Sequence, residues 1–472
     1  MRKFPEILFK LNFWILFLIA AQVAAIIFLA FYIPYFLPVA LTFVIVWLLS
    51  AVCAALLFAR KGSADVKCVW FVIIAAVPVA GALIYLLATV KRRPHAILTV
   101  KKEGENGIYS AANALCGTCS AGYSAAKYFE NGTEFFSSAI PAIKGAKKNV
   151  YMEFFIISRG HIFNSLIQAL ETAAANGAEI KIILDGVGSA FRVNKKDLKR
   201  LKAVGAEVKI FHKLTPFPHA KINVRDHRKI IAIDGKTAYT GGVNLADEYA
   251  NIVLPHGYWK DTGVAVYGSA AKIFEGMFLS MWHGKYEMSA PDLNPEEKLC
   301  LPFYDSPPHR SFCEDAYISA IYSSRERVHI FTPYFCVSDK TAAALAFTAQ
   351  RGVDVKIIIP HIPDKKYAFE ISKAFARTLT ESGVKFFEFT PGFMHAKSLI
   401  CDNKVFLGSY NFDFRSTRYN YECGILFEND ICNEVERDFQ NCLALSMPLT
   451  EGKLSRLKRT SRFILRFFAP LI

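Results

Sequence analysis

The chain is 472 residues long, 53% hydrophobic and only 21% charged, yet it carries a formal net charge of +15. Soluble domains average roughly 45–50% apolar and about 25% charged residues, so the composition excludes a disordered chain and argues against a purely cytosolic enzyme. It is too polar for a membrane bundle throughout.

The apolar excess lies at the front. Leu11–Ala59 runs 49 residues, and Cys68–Val90 another 23, without one Asp, Glu, Lys or Arg. A helix needs about 20 apolar residues to cross a bilayer, because backbone polar groups in lipid must be satisfied within the segment. The first run reads as two spans, Leu11–Ile33 and Leu37–Ala59, divided at Pro34-Tyr35-Phe36. The second reads as a third span, Cys68–Val90, with Pro78 and Gly81 near its middle. Transmembrane helices are therefore expected within residues 1–93, with a multi-pass location in the cell membrane. A secretory signal peptide fits less well, since its apolar core is shorter and no cleavage pattern stands out. Basic clusters flank every span, so topology stays open between three crossings and a re-entrant third segment. The body is expected in the cytoplasm. Eleven cysteines, an odd number without framework spacing, suit free thiols in a reducing compartment. Cys116-Gly-Thr-Cys119 lacks the two further ligands that a zinc site needs.

Residues 94–145 read as a linker and the start of the body. Strands and helices then alternate: Val150–Ile157, helix Ile162–Asn176, Ile180–Leu184, helix Asp197–Val204, Val208–Phe211. The same grammar returns as Val328–Phe331, helix Asp339–Gln350, Val355–Pro360, helix Tyr367–Ser382 and Val384–Phe387. This is an α/β pattern with mixed, mostly parallel sheets, and it implies two tandem modules related by a pseudo-twofold, 146–290 and 309–450. The Pro-rich, polar stretch 291–308 reads as the linker between them. A basic amphipathic tail, 451–472, suits an anionic bilayer or docks on the body as a final helix.

The chemistry sits on the repeat. His227-Arg-Lys229 leads to Asp234, and His395-Ala-Lys397 leads to Asp402; both read H-x-K-x4-D. Each is followed by a second element, Gly241-Gly-Val-Asn244 and Gly408-Ser-Tyr-Asn411. One such match is weak, but two in equivalent places of a duplicated fold are strong. Residues two apart on a strand face the same side, so each histidine points with its lysine. If the copies meet face to face, the pocket suits a singly charged phosphodiester. The lysines, with Asn244 and Asn411, can stabilise its oxygens. One histidine can attack phosphorus while the other protonates the leaving alkoxide. No metal or cofactor is called for. Asp234 and Asp402 complete the motifs as candidate catalytic residues, but their odd offset faces them away, toward a strand or turn role. A downstream carboxylate in each copy, Asp261 and Glu422, is the candidate to orient a histidine.

These residues resemble the phospholipase D superfamily, and within it the bacterial cardiolipin synthases. The likeness extends over Tyr151-Met-Glu-Phe-Phe-Ile, Asp185-Gly-Val-Gly-Ser, Trp259-Lys-Asp-Thr, Thr332-Pro-Tyr-Phe and Asn411-Phe-Asp-Phe-Arg-Ser. It implies a phosphatidyl-histidine intermediate on His227, with phosphatidylglycerol as donor and acceptor and glycerol released. It implies anionic phospholipids and a bilayer as partners, and the apolar spans argue against nucleic acid. The second copy departs by one residue, with a tighter turn at Asp402-Asn403-Lys404. A lipid hydrolase, a phosphodiester nuclease and an inactive scaffold are the competing readings.

Overall fold

The computed structural model describes residues 24, 28, 39–59, 63–88, 96–101, 119–213, 223–307, 311–450 and 454–471. The chain divides into two compact units, Met1–Arg93 with Leu214–Asn223 and Phe467–Ile472, and Pro94–Lys213 with Val224–Arg466.

The first unit corrects the expectation of membrane spans. Among the described residues, no helix is long and apolar enough to cross a membrane. The third apolar run is not one helix: it breaks into Ala64–Ala76 and Pro78–Ala88. Pro78 cannot donate the backbone hydrogen bond that would continue the first helix. The pieces, of 13 and 11 residues, reach about 20 and 17 Å at 1.5 Å per residue. Each falls short of a hydrocarbon core of about 30 Å. They fold back on each other, and Trp70 meets Tyr85 edge-on at 5.4 Å. The second run forms the helix Val39–Ala59, with side chains described continuously only over 44–59. Of Leu11–Ile33, only Ala24 and Phe28 are described. Transmembrane helices and a multi-pass membrane location are thus not borne out. Cys116 also lies outside the described residues.

The second unit holds the duplication. A seven-stranded sheet runs in the order 125–129, 263–267, 237–241, 229–233, 149–154, 179–185, 207–211. A ten-stranded sheet contains the same sequence of strands, 298–305, 420–428, 404–408, 398–401, 327–331, 354–360, 385–389. The sheets are mixed, but they are not mostly parallel. In the first copy only the two contacts made by 179–185 are parallel, while four others are antiparallel. The reason is the hairpin after each motif, which turns the chain straight back. Part of the stretch read as a linker, Lys298–Asp305, is a strand. It opens the second copy as Ala125–Phe129 opens the first.

The motif aspartates build the hairpins. Ile233 pairs with Thr237 across three residues, whereas Cys401 pairs with Lys404 across two, which is the tighter turn read from the sequence. Both aspartates sit at positive φ, 54° and 52°, a conformation that Asp tolerates better than most residues. Asp234 accepts from the backbone N–H groups of Lys147, Lys148 and Asn149. Asp402 accepts from those of Arg325, Glu326 and Arg327. Each carboxylate therefore pins the start of the neighbouring strand, and burial's upward push on its pKa is overcome by those backbone donors.

The modules share one core. The helix Ala270–His283 is buried on nearly every side, as expected of a helix apolar all round. Its Phe274, Met277 and Phe278 pack in one cluster with Phe331, Met394, Ile425 and Phe427 of the second copy. The tail helix, Arg456–Phe468, meets the body through its basic side. Arg462 Nε lies 2.6 Å from Glu370 and Arg466 donates to Thr378, while Leu457, Phe463 and Ile464 face outward. Asp402→Ala should lower unfolding free energy in denaturant by about 1–3 kcal/mol, the cost of leaving donors at a strand start unpaired; an unchanged midpoint would remove the anchoring role.

Candidate active site

The two histidines are placed by strand pairing between the copies. The strand Arg225–Asp226 runs parallel to the start of Asn420–Glu428, with Tyr421 opposite Asp226. The next pair in that register is Glu422 and His227. On the other side Tyr258–Lys260 runs parallel to Gly392–Met394, with Lys260 opposite Met394. The next pair there is Asp261 and His395. Main-chain bonds hold both registers: His227 N–H donates to Tyr421 O at 3.0 Å and His395 N–H to Lys260 O at 2.7 Å.

The orienting pairs are therefore crossed. His227 Nδ1 lies 2.9 Å from Glu422 Oε2, and His395 Nδ1 lies 2.6 Å from Asp261 Oδ2. Each copy's carboxylate meets the other copy's imidazole, although the sequence places it downstream of its own. A carboxylate only accepts, so each Nδ1 carries the proton and each Nε2 keeps its lone pair. Both carboxylates are fully buried. Burial pushes them up, but the imidazoles and the neighbouring lysines hold both below their ordinary range. Glu422 also accepts from Ser409, Ser416 and Asn420.

The lysines sit beside their histidines, as the spacing requires. Lys229 Nζ donates to His227 O at 2.5 Å. Lys397 Nζ donates to His395 O and stands over the edge of the His395 ring, 2.9 Å from Nδ1 and 3.3 Å from Nε2. Burial lowers Lys229 to about 8 and Lys397 to about 7, and the Lys229 ammonium adds to the lowering of Lys397. Burial and Lys397 bring His395 down to about 3 against the pull of Asp261, and burial lowers His227 too. The pocket thus presents two neutral imidazoles beside two cations, an arrangement that can attack a phosphodiester and stabilise its charge.

Other predicted residues are placed differently. Asn244 is buried with both polar ends used: its amide donates to Tyr249 Oη at 2.8 Å and its oxygen accepts from Ile156 N–H at 3.1 Å. Asn411 donates to Asp413, and its own oxygen has no partner. Asp234 and Asp402 lie at the far ends of the motif strands, in the hairpin turns. The second element matters through its second residue. A Cβ at Gly242 would lie 2.0 Å from Asp261 Oδ1 and 3.2 Å from Lys397 Nζ. The matching residue in the other copy is Ser409, which donates to Glu422.

Sequence reasoning assigned no role to the aromatic walls. The Phe155 ring stands 5.2 Å from that of His227, and Trp259 and Tyr249 each stand 5.2 Å from His395. The signal was present in two stretches already quoted for their resemblance, at Phe155 and Trp259. Tyr249 closes a third stretch that carries the resemblance, Gly241-Gly-Val-Asn-Leu-Ala-Asp-Glu-Tyr, though only the fold brings it to the site.

With this geometry in hand, the similarity to known proteins is direct. The family model described as "Cardiolipin synthase, PLD-like domain" matches residues 139–282 and 317–443. The chain belongs to this family. Its chemistry is accordingly of the phosphatidyl-transfer type. It is 32% identical to a cardiolipin synthase of Clostridium perfringens over 367 residues, covering 73% of this chain and 76% of the relative. It is 32% identical to cardiolipin synthase A of Pseudomonas syringae, covering 73% and 74%. It is 38% identical to an uncharacterized protein of Streptococcus mutans, covering 73% and 78%. The crystal structure of phosphatidylserine synthase from Haemophilus influenzae shares the fold, with a TM-score of 0.56 at 13% identity over 77% of this chain and 98% of that one.

If the ammonium forms of the two lysines hold an anionic substrate, kcat/KM should fall as pH rises through the Lys397 and Lys229 values of about 7 and 8. Lys397→Arg, always charged, should move that alkaline limb upward; an unmoved limb would assign the titration elsewhere.

Proposed function

We propose that the chain is a cardiolipin synthase that transfers the phosphatidyl group of one phosphatidylglycerol to another and releases glycerol. The reaction runs in two displacements. His227 Nε2 attacks phosphorus, the phosphorus–oxygen bond to glycerol breaks, and His395 gives the departing alkoxide a proton. His395 is neutral in the empty pocket, and the bound phosphate anion raises its proton affinity. His395 then takes the proton of the second lipid's terminal hydroxyl. That oxygen attacks the phosphatidyl-histidine and His227 leaves.

What supports a lipid substrate is a set of exposed apolar residues on the loops that adjoin the two histidine sites. Phe191 and Val187 are exposed on the loop after Asp185. A Cβ at Gly188 in that loop would lie 2.2 Å from the carbonyl of Phe155, which faces His227. On the His395 side, Ile252, Val253 and Leu254 are exposed just before Trp259, and Ile362 lies 3.5 Å from a Cβ at Gly257. Arg192 Nη1 and Glu248 Oε1, 2.6 Å apart, tie the two loops together. Exposed apolar residues on loops adjoining a polar site suit an amphiphilic substrate. The +15 charge draws such a chain to anionic lipid headgroups. The names of the relatives favour cardiolipin as the product.

The test is a product assay. The purified chain, given labelled phosphatidylglycerol in vesicles, should form cardiolipin and glycerol. Phosphatidic acid with glycerol would replace the proposal by hydrolysis. His227→Ala and His395→Ala should each lower turnover about a thousandfold or more, as expected for a nucleophile and a proton-transfer group.

A further inference from the structure

The two copies differ behind their histidines. Phe154 stands opposite Lys229, while Phe331 stands opposite Ser398. The position of Glu153 in the first copy is therefore taken by Phe331 in the second. Asp226 and Arg228 flank His227, where Met394 and Ala396 flank His395. The second copy's trio is apolar and packs in the core between the modules. The first copy buries two carboxyls and a guanidinium in the same layer, all with no exposed surface.

The charges do not balance if all three are ionised. Arg228 donates to Met277 O at 3.3 Å and to Asp305 O at 3.2 Å, between the rings of Tyr304 and Tyr421. Its Nη1 is 3.8 Å from Glu153 Oε1, and its backbone N–H donates to Asp226 Oδ1 at 3.3 Å. Both Glu153 oxygens and Asp226 Oδ2 lack a donor. The charged groups around them are Arg228, Asp185 and Lys229. Asp185 is already paired with Arg225 at 3.4 Å, and Lys229 faces Glu422 in the pocket. One guanidinium thus serves two carboxyls, and an unmatched buried charge is strongly destabilising. A carboxyl that keeps its proton is neutral and becomes a donor.

We propose that Glu153 is protonated at neutral pH and donates to Asp226, so that one acid, one carboxylate and Arg228 form a neutral clamp on both neighbours of His227. Burial and Asp226 push Glu153 well above the ordinary carboxylate range. Asp226 rises less, to about 6, because its bond to Glu153 and Arg228 oppose burial. Glu153 is a positioning residue: it acts through Asp226 and Arg228 on the segment that presents His227. The second copy replaces this clamp by packing, which breaks the near-symmetry of the two half-sites.

Its activity arm rests on the proposed phosphatidyl transfer; its infrared arm does not. In full-length protein at neutral pH, the infrared difference between wild type and Glu153→Gln should show loss of the carbonyl band of a protonated carboxylic acid. Glu153→Gln keeps a donor toward Asp226, so its kcat should stay within about threefold of wild type. Glu153→Leu removes that donor and should lower kcat about tenfold or more with KM little changed, as for lost positioning of a reacting group. An infrared difference without that band overturns the proton assignment. Glu153→Gln as impaired as Glu153→Leu, or Glu153→Leu as active as wild type, overturns the positioning role. If Glu153→Leu does not fold, the Gln variant and the band decide. A wild type that transfers no phosphatidyl group refutes the function proposal alone.

Discussion

Everything at the centre of this molecule depends on two crossed hydrogen bonds, Glu422 to His227 and Asp261 to His395. Each fixes the tautomer of an imidazole, and each does so across the boundary between copies. Neither copy holds a complete half-site. The pairing follows from short parallel strands that dock each histidine segment against the other module. The buried helix Ala270–His283 and the shared core keep those strands in register. Duplication here is a requirement of the chemistry, because a histidine whose orienting acid is missing has no reason to present Nε2 to the pocket.

The same arrangement makes the pocket electrically tense. Two ammonium groups, two imidazoles and two carboxylates share a dry space. Its cations are held below their usual proton affinity. An entering phosphodiester adds a negative charge beside those cations and raises their proton affinity. Binding and activation are thereby the same event, since the anion that is to react also restores the cations.

Much of this was legible in the sequence. The duplicated H-x-K-x4-D spacing placed His227, Lys229, His395 and Lys397 together. The odd offset turned Asp234 and Asp402 away, to where they pin strand starts. The repeated strands and helices near 150–211 and 328–387 lie where periodicity put them. The rest was hidden for physical reasons. Crossing cannot be read from chain order, because Asp261 follows His227 and Glu422 follows His395 just as uncrossed partners would. Lys298–Asp305 looked like a linker because its Pro302 and polar neighbours masked a strand paired on both sides. The hairpins that make the sheets mainly antiparallel depend on turns of two and three residues, a weaker signal than helical periodicity. An uncharged run was taken for a span at Cys68–Val90, where Pro78 instead divides two short helices. The bond from the Asn244 amide to Tyr249 cannot be read from the place of Asn244 after the motif.

The crossed pairing is tested most directly by nitrogen-15 NMR of the imidazole Nδ1–H groups in variants of the two carboxylates. Glu422→Gln should shift the Nδ1–H signal of His227 and leave that of His395 in place, and Asp261→Asn should do the reverse. If Glu422→Gln instead moved His395, with His227 unchanged, each histidine would be oriented from within its own copy and the central claim would be wrong.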